Sequence, residues 1–81
     1  MKIIVKTMSG SEYEFTQTED GRIFFKKGVL LTGQVIRINN GPITIGKGIN
    51  MDFYKENIYG KLENIDMFLN TTPVKDISVI L

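Results

Sequence analysis

The chain contains no cysteine and no histidine among its 81 residues. Without cysteine there is no disulfide to staple a small fold and no thiolate to hold a metal, and the redox compartment is left open. Without histidine the usual general base and the usual nitrogen ligand are gone as well. Only carboxylate, lysine, tyrosine and hydroxyl chemistry remains, so the expectation is a protein that is not an enzyme and carries no metal and no cofactor. Alanine is also absent, which argues against a helical bundle. No stretch reaches the roughly 18 apolar residues of a membrane span, and Met1–Gly10 lacks the apolar run of a signal peptide. Neither charge dominates: ten basic and nine acidic residues leave a net charge of +1, too little to drive the chain onto nucleic acid or an anionic membrane. The expected location is the cytoplasm of a bacterial host, with no membrane partner.

What is present is strand-forming residues. Isoleucine recurs from Ile3 to Ile80, with valine, phenylalanine, tyrosine and threonine between. Lys2–Thr7 alternates, Ser9-Gly10-Ser11 is turn chemistry, and Tyr13 and Phe15 alternate with Glu12, Glu14 and Thr16, which predicts an opening hairpin. Asp20-Gly21 predicts a tight turn into a third strand over Arg22–Lys26. Gly28 ends that strand, and Val29–Ile38 reads as a β-branched stretch bent or bulged at Gly33. Asn39-Asn40-Gly41-Pro42 turns the chain into Ile43-Thr44-Ile45. Residues 50–70 carry two patterns. Tyr54, Ile58, Leu62, Ile65 and Leu69 keep helical spacing, whereas Ile58, Gly60 and Leu62, then Ile65, Met67 and Leu69, keep strand spacing. Gly60 favours the strands, leaving one short helix around residues 50–60 as the alternative. Val74–Leu81 closes the chain as a strand. The expected fold is mainly β, one domain over residues 1–81, a small antiparallel barrel or meander of about six or seven short strands. So many short strands must hide their edges, by closing a barrel or by pairing between copies, and a homo-oligomer is expected.

Several constellations bear on chemistry. Glu12 and Glu14 share one face of a strand, as an acid and base pair would, but a solvent face is ordinarily polar in this way. Gly41–Gly48 spells G-x-x-x-x-G-K and then has glycine where a phosphate loop needs serine or threonine for magnesium, so β-turns explain the glycines better. Arg22, Phe24, Phe25, Lys26, Arg37 and Lys47 interleave cations with aromatics, the combination that neutralises phosphates and stacks bases. The competing reading puts one of the two phenylalanines in the core and uses the lysines to keep an edge strand soluble. Arginine binds phosphate bidentately, which makes Arg22 and Arg37 the first candidates.

Three short resemblances add to this. Met1–Thr7 followed by Gly10 resembles the first hairpin of the ubiquitin family, and the likeness ends there, since Asp20-Gly21 and a strand replace that family's helix. Ile58–Asn70 resembles the first motif of Sm-like RNA-binding proteins. That likeness implies a strand bent at Gly60 and base contacts from Asp66, Phe68 and Asn70, although the family's Arg-Gly second motif has no counterpart downstream. Lys2–Gly10 with Tyr13, taken with Thr72-Pro73-Val74-Lys75-Asp76-Ile77, resembles small β proteins of phages and prophages of Gram-positive bacteria. It implies an accessory protein that binds and blocks a host factor. The resulting expectation is a binding protein whose partner is a host protein or a nucleotide-type small molecule, such as a defence signal. RNA binding by an Sm-like ring, or a role as phage structural adaptor, are the alternatives.

Overall fold

The computed structural model describes residues 1–27 and 31–81, and, for residues 31–33, the backbone alone. Seven strands follow one another: β1 (Lys2–Thr7), β2 (Glu12–Gln17), β3 (Ile23–Lys27), β4 (Leu31–Ile38), β5 (Asn50–Glu56), β6 (Leu62–Asn70) and β7 (Val74–Ile80). All belong to one antiparallel sheet in the order β6-β5-β4-β3-β2-β1-β7. Six strands form a meander, and the seventh returns to lie beside the first, with Lys2 opposite Ile80 and Val5 opposite Ile77.

Period-two alternation decides which face is buried. Val5, Tyr13, Phe15, Phe25, Ile36, Met51, Phe53 and Val74 form one cluster, joined by Ile49 from the β4–β5 connection. Ile65 and Leu69 of β6 and Ile77 of β7 pack against it. Residues of β1 and β5 lie four strands apart, so a single core between them requires the sheet to curl upon itself. Phe25 is the hub, with ring centroids 5.6 Å from those of Tyr13, Phe15 and Phe53. The curl leaves β6 and β7 as edges, and the β4–β5 connection bridges between them. Gly46 N–H donates to Val74 O at 2.8 Å, Val74 N–H to Lys47 O at 3.0 Å, and Thr71 N–H to Ile49 O at 2.9 Å.

The expected mainly-β meander is the fold, and the helical alternative over residues 50–60 is replaced by β5 and a turn. The strand phase expected from Ile58 is also displaced, because Asn57 closes a tight turn there. Its side-chain oxygen accepts from Tyr59 N–H at 2.9 Å and Lys61 N–H at 3.0 Å, and Gly60 takes φ +77°. Ile58 and Tyr59 therefore stand on a hairpin tip, 91% and 81% exposed. Ile43-Thr44-Ile45 is not a strand either, making only a single parallel bridge from Ile45 to Val74. The bulge expected at Gly33 is present: Phe25 faces Gln34 and Lys26 faces Thr32, leaving Gly33 unopposed. The strand end expected at Gly28 lies outside the described residues.

Candidate functional site

Directly opposed residues of an antiparallel pair project to the same side of the sheet. On β4, β5 and β6 the core face is set by Ile36 opposite Phe53, and by Ile38 opposite Met51, itself opposite Leu69. The outer face then carries two rows. In one, Arg37 lies opposite Asp52, and Asp52 opposite Phe68; in the other, Phe24 lies opposite Val35, Val35 opposite Tyr54, and Tyr54 opposite Asn64. The pairing shift between these rows puts Ile65, Asp66 and Met67 against Phe53 alone, and Asp66 adopts φ +57°. Asn64 Oδ1 accepts from Asp66 N–H at 2.8 Å and steadies that bulge.

A cleft of about 540 Å³ opens on this side, within the range typical of small-molecule sites. Val35, Arg37, Tyr54 and Leu62 line it, together with the β2–β3 turn at Asp20, Gly21 and Arg22. Arg37 is exposed and forms no ion pair with any carboxylate among the described residues. Val35 faces outward yet is only 9% exposed. Phe24 and Tyr54 flank it on the neighbouring strands, and Arg22 reaches from the β2–β3 turn to the β5–β6 hairpin. Its Nη1 lies 3.2 Å from Glu56 Oε2, its Nη2 donates to Gly60 O at 3.1 Å, and its Nε stands 3.6 Å from Asp20 Oδ2. A hydrogen bond from the Thr18 hydroxyl holds the Asp20 carboxyl below the usual carboxylate range, with help from Arg22 N–H and the Arg22 charge. Arg22 is thus a strut that shapes the cleft, with its guanidinium already occupied.

The remaining residues singled out in the sequence are dispersed. Phe25 is fully buried at the centre of the core, which removes it as a stacking surface for a ligand. Phe24 is half-buried on the outer face beside Val35. Lys26 is exposed farther along β3, in a shallow depression with Ile4, Glu12 and Glu14. Lys47 donates its ammonium to Asn40 O and braces the β4–β5 connection. Of the RNA-type set, Phe68 is 70% exposed and Asp66 is exposed at the bulge. Asn70 Oδ1 accepts from Asn50 Nδ2 at 2.6 Å, and Asn39 Nδ2 donates to Asn50 Oδ1 at 3.1 Å, forming an asparagine ladder from just beyond the end of β4 to β5 and β6.

The fold therefore brings Phe24 and Arg37 from one constellation and Phe68 and Asn70 from another onto one face. Sequence reasoning missed Tyr54 and Val35 as members of that face. Their signal was strand alternation, since Met51 and Phe53 take the core and leave Asp52 and Tyr54 outside. No cluster of three or more metal-ligating side chains occurs among the described residues, nor does any helix long and apolar enough to cross a membrane. Comparison of the chain with family models, with curated proteins and with solved structures finds no match.

Proposed function

We propose that this chain is a non-enzymatic binding protein that captures an anionic, ring-bearing small molecule of nucleotide type in the cleft on the outer face of β4, β5 and β6. The observation that carries this reading is the Arg37 guanidinium, in ion pair with no carboxylate among the described residues, in a cleft lined by Val35 and Tyr54. An arginine whose guanidinium is not locked in an ion pair, even with Asp52 as its cross-strand neighbour, offers paired donors to a phosphate. A tyrosine ring nearby offers a base a stacking surface at low entropic cost. The resemblance of both chain ends to phage proteins supports a role in sequestering a host signal.

Isothermal titration against linear and cyclic nucleotides tests it. A saturable one-to-one isotherm is expected, with Arg37→Ala and Tyr54→Phe compared against Tyr54→Ala. Loss of Arg37 or of the Tyr54 ring weakens binding by at least about tenfold, a change of about 1.4 kcal/mol, while Tyr54→Phe keeps most of it. Arg22→Ala lowers the melting temperature as well as the affinity, because that side chain shapes the cleft by tying the β2–β3 turn to Glu56 and Gly60. Absence of binding to any nucleotide at millimolar concentration, or binding indifferent to Arg37, removes the proposal.

A second reading is favoured by the exposure of Phe68 in the same row as Arg37. Single-stranded RNA laid along β4–β6 would stack bases on Tyr54 and Phe68. Affinity for uridine-rich RNA that falls with Phe68→Ala, together with no mononucleotide binding, would select it.

A further inference from the structure

An edge strand presents unpaired backbone donors and acceptors, and stable monomers blunt such edges with bulges, charges or proline. The two edges of this sheet are treated differently. β6 carries the left-handed bulge at Asp66 and two acidic side chains, Glu63 and Asp66, and β6 exposes both. β7 carries none of these devices over its second half. It pairs without interruption from Asp76 opposite Lys6 to Ile80 opposite Lys2, and Ile77, Ser78, Val79 and Ile80 include no charge, glycine or proline. Val79 and Ile80 are 55% and 52% exposed.

Charge placement says what covers that edge. The only charges on β7 are Lys75 and Asp76, both near its start. A parallel copy would set lysine against lysine and aspartate against aspartate, which is unfavourable. An antiparallel copy centred on Ser78 sends both charged pairs to opposite ends of the paired segment, beyond about one Debye length of each other. That register places Ile77 opposite Val79 of the second copy, twice, on the face where Val5 and Ile3 already flank them. The core would then run on from one copy into the next. A net charge of +1 sets up little repulsion between copies.

We propose that two copies of this chain associate through β7, antiparallel about a two-fold axis at Ser78, to join their sheets into one. Such a closed, isologous contact stops at the dimer. It goes beyond the binding proposal and leaves the cleft free, since the cleft strands lie toward the other end of the strand order.

Sedimentation equilibrium of the purified chain, over low to high micromolar concentration, is expected to show a monomer–dimer equilibrium. Ser78→Lys and Ser78→Asp place like charges at the axis, and each alone raises the dimer dissociation constant at least about tenfold. Mixed in equal amounts, the two variants recover a heterodimer, because lysine then meets aspartate. Circular dichroism confirms that each variant is folded. Ile80→Asp replaces any that is not, and it too weakens the dimer, because position 80 of one copy faces Asp76 of the other. Phe68→Lys, on the other edge, leaves association unchanged. A monomer throughout, a dimer indifferent to Ser78 and Ile80, no recovery on mixing two folded variants, or a dimer lost through Phe68→Lys each overturns the proposal.

Discussion

Thr72 donates its hydroxyl to Ser9 Oγ at 2.9 Å, joining residues 63 positions apart. Ser9 N–H approaches Thr72 Oγ1 at 3.4 Å, and Met8 N–H donates to Pro73 O at 2.9 Å. Behind them the buried Thr7 hydroxyl lies 3.0 Å from Ser9 Oγ. The Ser-Gly turn of the first hairpin and the Thr-Pro-Val entry to the last strand are thus two halves of one clasp. Thr72→Val keeps the shape of the side chain and removes the hydroxyl. It is expected to cost about 1 kcal/mol, the usual net worth of a hydrogen bond, in urea unfolding. A midpoint unchanged from the parent chain would show that solvent replaces the clasp without loss.

Gly48 supplies a second closure point for a different reason. A Cβ there would stand 2.6 Å from the Thr71 carbonyl oxygen, closer than side chains come to backbone. Thr71 cannot retreat freely, because its N–H donates to Ile49 O and its hydroxyl accepts from Ile49 N–H, both at 2.9 Å. Gly48→Ala should destabilise the fold by about 1–3 kcal/mol, as overpacking does. Gly46→Ala is the informative comparison, because its φ of +87° strains the backbone although nothing lies within 4 Å of the added carbon.

The core depends on one ring. Phe25→Ala removes the hub of the aromatic cluster, and buried phenylalanine truncations cost about 3–5 kcal/mol. Since domains of this size have only about 5–15 kcal/mol in hand, the variant should lose most of its denaturant resistance at 37 °C. Phe24→Ala, on the outer face, should cost far less. Equal losses at the two positions would refute the assignment of inner and outer faces.

Asp20 makes a pH-dependent contribution. Its carboxyl titrates below the ordinary value in the folded chain, chiefly through the Thr18 hydroxyl and then through Arg22. The associated stability is present above the unfolded value of about 3.9 and is lost as pH falls through the lower folded value. Carboxyl-detected NMR should place Asp20 below the ordinary aspartate value and move it upward in Thr18→Ala. An Asp20 that titrates at the ordinary value in the parent chain contradicts the hydrogen bond.

Much of the fold was legible because strand alternation and turn chemistry agree at the start of the chain. Val5, Tyr13 and Phe15 keep period two, and Gly10 and Gly21 occupy the turns with positive φ. The middle was harder for identifiable reasons. Ile43-Thr44-Ile45 has strand composition, but Lys47 and Asn40 tie that segment into a connection that bridges the seam, a tertiary demand that propensity does not encode. Ile58 and Tyr59 are apolar yet sit on a tip, because Asn57 and Gly60 impose a turn stronger than the local hydrophobic pattern. The site was only partly legible. Arg37 could be chosen from residue type, but its lack of an ion pair among the described residues, and the capture of Arg22 by Glu56 and Gly60, depend on which strands become neighbours. Phe25 looked available beside Phe24 because adjacent strand residues face opposite ways, and sequence alone did not say which one faced in.

The pairing of β7 with β1 has a consequence for the order in which the molecule comes into being. Lys2 finds its partner only when Ile80 has been made, so the β1–β7 contacts are the most distant the described strands contain. Closing so long a loop must precede the reward of pairing, which slows folding relative to a chain rich in local contacts. A ribosome delivering the chain releases β1 with one side already satisfied by β2 and the other bare. That bare side waits through the synthesis of five further strands, a window in which the nascent molecule, rather than the finished one, is most open to pairing with the wrong neighbour.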